Sequence, residues 1–331
     1  MRILIVTDAW KPQVNGVVRT LDSTVQELSR RGHSVEMVTP LGCKTIPMPT
    51  YNEIPLVLSP KYHVHSTFEN FQPEMVHIAT EGPLGWSARR YCKKNNLEFT
   101  TSFHTQFPEY IYARTRIPTS VVYKILKRFH SLARRVMVTT HSMEKKLTGA
   151  GFKNLGQWAR GVDTHLFKPQ PRSFSSSKPK LLYVGRVAVE KNLEAFLDMK
   201  IDAMKIVVGD GPQLPILKAK YPEVLFAGPQ FGQNLINYYS SADAFVFPSR
   251  TDTFGLVMLE ALACGTPVAA YPVEGPIDVI QSTEVGCLDQ NLKKATMAAL
   301  RKSRRKCRDY ALQFSWQKCT DQFFNNLRPA F

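Results

Sequence analysis

"DAFVFPSRTDTFGLVMLEALACGTPVAAYPV" (residues 243–273) decides the architecture. It opens on an apolar run, crosses a polar loop, turns helical after Gly255 and closes on a second apolar run, "PVAAYPV". Two buried strands joined through a helix form a βαβ unit, which makes the strands parallel. The helix is apolar almost all the way round: Leu256, Val257, Met258, Leu259, Ala261, Leu262, Ala263 and Cys264 enclose one carboxylate, Glu260. A helix greasy on every face is buried. An unpaired carboxylate inside it costs on the order of several kcal/mol. Glu260 therefore has a partner, either an ion pair within the fold or the hydroxyls of a ligand.

The same alternation extends in both directions. "RILIVTD" precedes a helical stretch from Gly16 to Arg31, with Val18, Leu21, Val25 and Leu28 on one face, and "SVEMVTP" follows. Further strands are "EMVHIAT", "LEFTTSFHT" and "RVMVTT", with helices near 83–95, 119–133 and 142–149. A Pro-, Ser- and Lys-rich stretch, "KPQPRSFSSSKPK" (168–180), interrupts the series, as an interdomain linker does. "KLLYVGR", "MKIVVGDG" and "EVLFAGP" then resume it. The expected fold class is α/β, with two doubly wound parallel-sheet, Rossmann-like domains facing across a cleft. The expected divisions are a first domain over 1–168, a linker over 169–180, a second domain over 181–308, and a terminal helix over 309–331 that packs back on the first domain.

The chain has 331 residues and a formal net charge of +16, which favours an anionic partner: nucleic acid, acidic lipid or a phosphorylated small molecule. No apolar run approaches the ~18 residues of a membrane span. "MRILIVTD" is too short in its apolar part for a signal-peptide core, so the expected location is the cytosol. Six cysteines without a C-x-x-C pair read as reduced and structural.

Ligands of doubly wound sheets bind beyond the carboxyl ends of the strands. Asn15-Gly16 follows the first strand, where a helix N-terminus favours an anion, although Asn15 also suits a simple cap. Arg186 and Lys191 leave the strand "LLYV" within one short loop and suit a diphosphate. Gly209 and Asp210 form a tight turn that can line a ligand. Thr251 to Thr253 can cap the helix, Asp252 among them, while Phe254, Gly255 and Leu256 offer backbone N–H groups to phosphate. For Glu260 the neighbouring hydroxyls of a ribose suit better than a second buried charge. His104 ends a first-domain strand and projects from it; Arg160 and Gly161 close that domain.

The region 89–135 is strongly basic, with Arg89, Arg90, Lys93, Lys94, Arg114, Arg116, Lys124, Lys127, Arg128, Arg134 and Arg135 against Glu98 and Glu109. Within it "SVVYKILKRFHSLARR" is amphipathic, with Val122, Ile125, Leu126 and Phe129 as its apolar stripe. Such a helix is either a core helix with a solvated basic back or a contact with an anionic membrane surface, and the charge excess favours the second.

Six segments in order, "NGVVRT", "FHTQFPEY", "RGVDTHLF", "YVGRVAVEKN", "VGDGP" and "FPSRTDTFGLVMLEALACGTPV", resemble the family 4 retaining glycosyltransferases of the GT-B fold. The resemblance is strongest to bacterial lipid-modifying members: GDP-mannose-dependent mannosyltransferases, sulfoquinovosyl transferase-like enzymes and diacylglycerol glucosyl- or glucuronosyltransferases. It implies an E-x7-E element whose second glutamate is Glu260, on the ribose, and whose first is replaced by Asp252, one methylene shorter. It further implies that Arg186 and Lys191 hold the diphosphate, His104 the donor sugar, and Gly16 the donor phosphate, with Asn15-Gly16-Val17 in place of a double glycine.

The expected reaction moves a hexose, with retention, from a UDP- or GDP-linked sugar to a hydroxyl of a membrane lipid such as diacylglycerol, at the cytoplasmic face of the membrane. No cofactor or metal is expected, since no D-x-D follows these strands. The rival readings are a nucleotide-sugar 2-epimerase of the same fold and a non-catalytic nucleic-acid-binding protein. No recognition motif supports the latter, and the absence of G-x-G-x-x-G after a strand disfavours an NAD oxidoreductase.

Overall fold

A computed structural model describes residues 1–13, 15–48, 51–172, 176–252 and 254–331, with the side chains of 51–53 and 113–114 outside the description. Thr253, the side chain of Arg114 and residues 173–175 of the expected linker thus lie outside the described residues. The chain forms two compact units, Met1–Arg160 with Trp316–Phe331, and Gly161–Ser315.

The first unit runs β1 (Arg2–Val6), α1 (Gly16–Arg30), β2 (Ser34–Val38), β3 (Thr45–Met48), β4 (Tyr51–Val57), α2 (Pro60–Phe71), β5 (Met75–Ile78), α3 (Pro83–Lys94), β6 (Thr100–Phe103), α4 (Phe107–Thr115), α5 (Thr119–His130), β7 (Arg135–Val138), α6 (His141–Gly149) and β8 (Leu155–Gln157). Its sheet has the order β2-β1-β5-β6-β7-β8, parallel throughout. Ile3, Leu4, Ile5 and Val6 of β1 are all buried, as a strand covered on both faces requires.

The second unit runs β9 (Lys180–Val184), α7 (Leu193–Leu197), β10 (Met204–Val208), α8 (Leu214–Lys220), β11 (Leu225–Gly228), α9 (Gly232–Ser241), β12 (Ala244–Phe247), α10 (Leu256–Ala263), β13 (Val268–Ala270), α11 (Pro276–Val279), β14 (Gly286–Leu288), α12 (Leu292–Ala299) and α13 (Arg304–Ala311). Its sheet, β11-β10-β9-β12-β13-β14, is likewise parallel. Two doubly wound sheets are thus present, as the sequence implies.

The last helix, α14 (Trp316–Asn326), belongs to the first unit. Cys319, Phe323 and Leu327 share a core with Ile3, Ile5, Leu21, Leu28, Met137 and Trp158. The sequence ends the first domain at 168 and starts the terminal helix at 309. In the structure the units change over at 160–161 and 315–316, because Val162, Phe167 and Ala311 join the core of the second unit.

Two readings of the basic region change. Arg89 is buried and is no surface cation: its guanidinium donates to the carbonyls of Phe129 and Arg128, closing the C-terminus of α5. Ile125 is 53% exposed, so the buried face of α5 is formed by Val122, Leu126, Phe129 and His130. The antiparallel hairpin of β3 and β4 has no counterpart in the sequence reading. Among the described residues no helix is long and apolar enough to cross a membrane.

Local chemistry explains how α3 starts. Its N-cap residue is Gly82, which has no side chain to cap with. Asp8, just beyond the end of β1, does so from a distance: its Oδ1 accepts from Leu84 N at 2.9 Å and its Oδ2 from Gly85 N at 3.3 Å. A Cβ on Gly82 would stand 2.3 Å from Asp8 Cγ, so only glycine fits. Burial lifts Asp8 from 3.8 to about 6, partly opposed by the hydrogen bonds from Leu84, Thr80 and Gly85. The folded state therefore holds this proton more tightly than the unfolded chain, and its contribution to stability is lost as pH rises through that interval. Asp8→Asn removes the dependence. Relative to wild type, the variant should gain about 3 kcal/mol of unfolding free energy between pH 3.8 and pH 7, measured by urea titration.

Candidate functional site

The loops after β9 and β12 are bound to each other. Lys191 Nζ meets Asp252 Oδ1 at 2.5 Å, with the two side chains 18% and 15% exposed. Asn192 Nδ2 donates to Pro248 O at 3.0 Å, and the hydroxyls of Ser249 and Thr251 donate to Glu190 O. Burial alone would lower the lysine. The charges of Asp252, Tyr183 and Glu190, with the Asp252 hydrogen bond, outweigh it and hold the ammonium above its usual range. Arg186, one loop residue after Gly185, lies with Nη1 3.9 Å from Glu190 Oε1. Two cations thus stand at the carboxyl end of β9. Asp252 Oδ2 is buried and has no hydrogen-bond partner among the described residues.

The neighbouring turn is shaped by backbone contact. A Cβ on Gly209 would lie 1.9 Å from Gly185 O, so glycine is needed at 209 for the loops after β9 and β10 to touch. Asp210 Oδ1 accepts from Gly211 N at 2.7 Å, and Asp210 O accepts from Val187 N at 2.8 Å. Gly209 and Asp210 therefore act first as a turn that carries the Arg186 loop.

Helix α10 starts without a side-chain cap. Gly255 precedes it at φ 84°, where an added Cβ would stand 2.7 Å from Met258 Cε. The amides of Phe254, Gly255 and Leu256 have no acceptor among the described residues, which leaves the positive end of the helix open to an anion. Glu260 is 4% exposed, and its Oε2 accepts from the hydroxyl of Tyr239 on α9 at 2.8 Å. One partner within the fold is thus a phenol, which sequence reasoning missed: 21 residues separate the pair and no short motif joins them. Arginines of α13 hold the C-termini of α9 and α10. Arg304 donates to the carbonyls of Ala242 and Ser240 at the end of α9 and to that of Cys264 after α10, and Arg308 donates to those of Ala263, Phe167 and Thr164. Two of the basic residues in "RKSRRKCR" are therefore spent internally.

The first unit holds the other candidates. Asn15 caps α1, its Oδ1 accepting from Val17 N and Val18 N at 3.0 Å each, so these amides beyond Gly16 are already satisfied. His104, after β6, is buried at the head of a hydrogen-bonded chain. Its Nδ1 lies 2.7 Å from Arg160 Nη2. A guanidinium only donates, so Nδ1 accepts and the proton sits on Nε2, which donates to Ser102 Oγ at 2.8 Å. Ser102 Oγ lies 3.0 Å from His77 Nε2, and His77 Nδ1 lies 2.9 Å from Thr100 Oγ1. Burial, then the charge of Arg160, pulls His77 down to about 3 and His104 well below its usual range. Both imidazoles are neutral near pH 7.

The structure therefore brings Arg186, Lys191, Asp252, Phe254 and Gly255 together at the strand ends of the second unit, with Gly209 and Asp210 beside them and Glu260 one helix turn further in. His104 and Gly16 belong to the first unit. No group of three or more His, Cys, Asp or Glu among the described residues is disposed to hold a metal.

Two family models cover most of the chain, "Glycosyltransferase Family 4" over residues 14–166 and "Glycosyl transferases group 1" over residues 178–302. The chain belongs to glycosyltransferase family 4. It is 28% identical over 316 residues to a GDP-mannose-dependent alpha-mannosyltransferase of Corynebacterium glutamicum, covering 87% of this chain and 76% of that protein. It is 31% identical over 264 residues to the sulfoquinovosyl transferase SQD2 of Arabidopsis thaliana, covering 74% of this chain and 52% of that protein. Among solved structures, a sucrose-phosphate synthase from Thermosynechococcus elongatus superposes with a TM-score of 0.83 at 20% identity, over 98% of this chain and 97% of that one. The fold is GT-B, and the reaction is glycosyl transfer.

Tyr239→Phe keeps the ring and deletes the donor to Glu260. It should lower the unfolding free energy by about 1 kcal/mol, the worth of one buried hydrogen bond. Thermal or urea denaturation of the full chain measures this. A variant as stable as wild type would mean that the phenol is not what holds Glu260.

Proposed function

We propose that the chain transfers a hexose, with retention of configuration and without a metal, from a UDP- or GDP-linked sugar to a hydroxyl of a membrane lipid such as diacylglycerol. The observation that carries this reading is the Arg186, Lys191 and Asp252 cluster beside an uncapped helix start. Two cations and open amides suit a diphosphate leaving group, and a buried carboxylate oxygen without a partner among the described residues suits a sugar hydroxyl.

In this reading negative charge grows on the diphosphate as the anomeric bond breaks. Arg186, Lys191 and the amides of Phe254, Gly255 and Leu256 stabilise it. Asp252 accepts from the sugar and Glu260 from the ribose, while Gly209 and Asp210 line the donor. A phosphate oxygen takes the acceptor's proton as the acceptor oxygen bonds to the anomeric carbon on the leaving-group face. His104 stays neutral. Because both its ring nitrogens are already bonded, a hydrogen bond to the sugar would require exchanging one of those partners. The protein contributes mainly positioning and fixed charge. The nucleotide sugar is a co-substrate, and no cofactor is proposed.

The lipid part of the proposal rests on the face formed by α3 and α5. Arg90, Lys93 and Arg128 are exposed, and with Trp86 and Ile125 they line one groove. Among the described residues their side chains make no hydrogen bond or ion pair. Each cation near an anionic bilayer contributes about 1 kcal/mol. This supports peripheral attachment at the cytoplasmic membrane face; no nucleic-acid partner is proposed.

A panel of UDP- and GDP-sugars, incubated with membrane lipid extract and read by mass spectrometry, should give a lipid heavier by one hexose-type residue. Arg186→Ala and Lys191→Ala should each lower turnover by about 10²-fold, and Glu260→Ala should weaken donor binding. Transfer at the wild-type rate by either cation variant would refute the diphosphate assignment. A tenfold or greater loss with chelator, taken from the roughly several kcal/mol a catalytic metal supplies, would refute metal independence.

A further inference from the structure

Arg160 closes the first unit and is only 6% exposed. Its hydrogen bonds go to neutral acceptors: Nη1 to Trp158 O at 2.8 Å and Ala159 O at 3.2 Å, Nη2 to His104 Nδ1 at 2.7 Å. Its guanidinium lies 4.7 Å from the centre of the Trp158 ring. No carboxylate among the described residues forms an ion pair with it. Burial pulls it down to about 10, with only the Cys319 thiol acting in the other direction, so it remains a cation at pH 7. The chain of groups behind His104, namely Ser102, His77 and Thr100, is neutral and brings no compensating charge.

A buried cation without a counter-charge is costly, and the Trp158 face offsets only part of that cost. The remaining donors define the geometry. Nε and the second hydrogen of Nη2 have no acceptor among the described residues, and Nε is not among the sealed, unbonded polar atoms, so solvent reaches it. A planar fork with free donors on one edge matches a carboxylate, sulfonate or phosphate oxygen pair.

We propose that Arg160, held in place by His104 and Trp158, is an anion subsite that takes an oxyanion group carried by one of the two substrates. The inference rests on the transferase reading and deepens it: one substrate is charged at a position away from the diphosphate. The group is either an acid on the donor sugar or a phosphate on the acceptor lipid. Lysine at 160 would keep the charge but lose the fork.

The test uses the full chain with two arms. The first compares UDP-glucose with UDP-glucuronate and GDP-mannose with GDP-mannuronate by calorimetry. The second compares initial transfer rates to diacylglycerol and to phosphatidylinositol in otherwise identical phosphatidylcholine vesicles. Wild type should favour the charged member in one arm by about tenfold or more, as a charge-assisted hydrogen bond implies. Arg160→Met should reduce that preference to about threefold or less by losing more on the charged substrate than on the neutral one, and Arg160→Lys should keep an intermediate preference. The basic outer face acts equally on all three proteins, so only the part sensitive to residue 160 counts.

No preference in either arm, or one that survives in Arg160→Met, overturns the subsite. Equal losses for charged and neutral substrates also overturn it, since they mark a structural role. If Arg160→Met does not fold, wild type and Arg160→Lys decide: a preference reduced in the lysine variant supports the subsite, and an unchanged one refutes it. Failure of UDP and GDP themselves to bind wild type would instead sink the transferase reading.

Discussion

An ammonium and a carboxylate, both largely withdrawn from water, hold the second unit's strand ends in place. Lys191 and Asp252 lie 61 residues apart and belong to different loops, and their ion pair makes those loops one body. Withdrawing two charges is worthwhile only if they meet in good geometry. Here Asp252 spends one oxygen on the lysine and leaves the other unbonded among the described residues. Around the pair, Asn192 bonds to Pro248, and Ser249 and Thr251 bond to Glu190. The resulting frame sets where Arg186 and the open start of α10 can stand.

The first unit is organised by the opposite electrostatic choice. Around Arg160 it places imidazoles, hydroxyls and carbonyls, none of which carries negative charge. The direction of hydrogen bonding is forced, because the guanidinium has no lone pair to accept with. His104 is therefore a neutral acceptor on one side and a donor on the other. Asp8, a few residues past the end of β1, serves instead as a remote helix cap. One unit thus offers paired charge with a spare acceptor, and the other a lone cation with spare donors.

What the sequence revealed follows the range of the interactions. Periodicity and turn residues are local, so the βα alternation, the buried helix after Gly255 and the return of the last helix were all legible. Glu260 stood out because the helix around it is apolar, and Asp252 was assigned through the resemblance to the family's E-x7-E element. Tyr239 was not legible, since only the tertiary fold sets α9 against α10. Arg89 looked like one more surface cation in a basic run, yet the end of α5 draws it inward. Ile125 was counted as core because helical periodicity marks a face without saying how wide its buried part is. The hairpin of β3 and β4 was missed, with Pro47 and Pro55 inside its strands weakening the strand pattern.

The central claim is that Glu260, held on one side by the Tyr239 hydroxyl, recognises the ribose of a nucleotide diphosphate. Its most direct measurement is the affinity of wild type and Glu260→Gln for UDP and GDP and for their 2′,3′-dideoxy analogues. The account predicts that wild type loses about tenfold or more in affinity for the analogues, while the glutamine variant, already weak, discriminates between them far less. Equal binding of nucleotide and dideoxy analogue by wild type would contradict it.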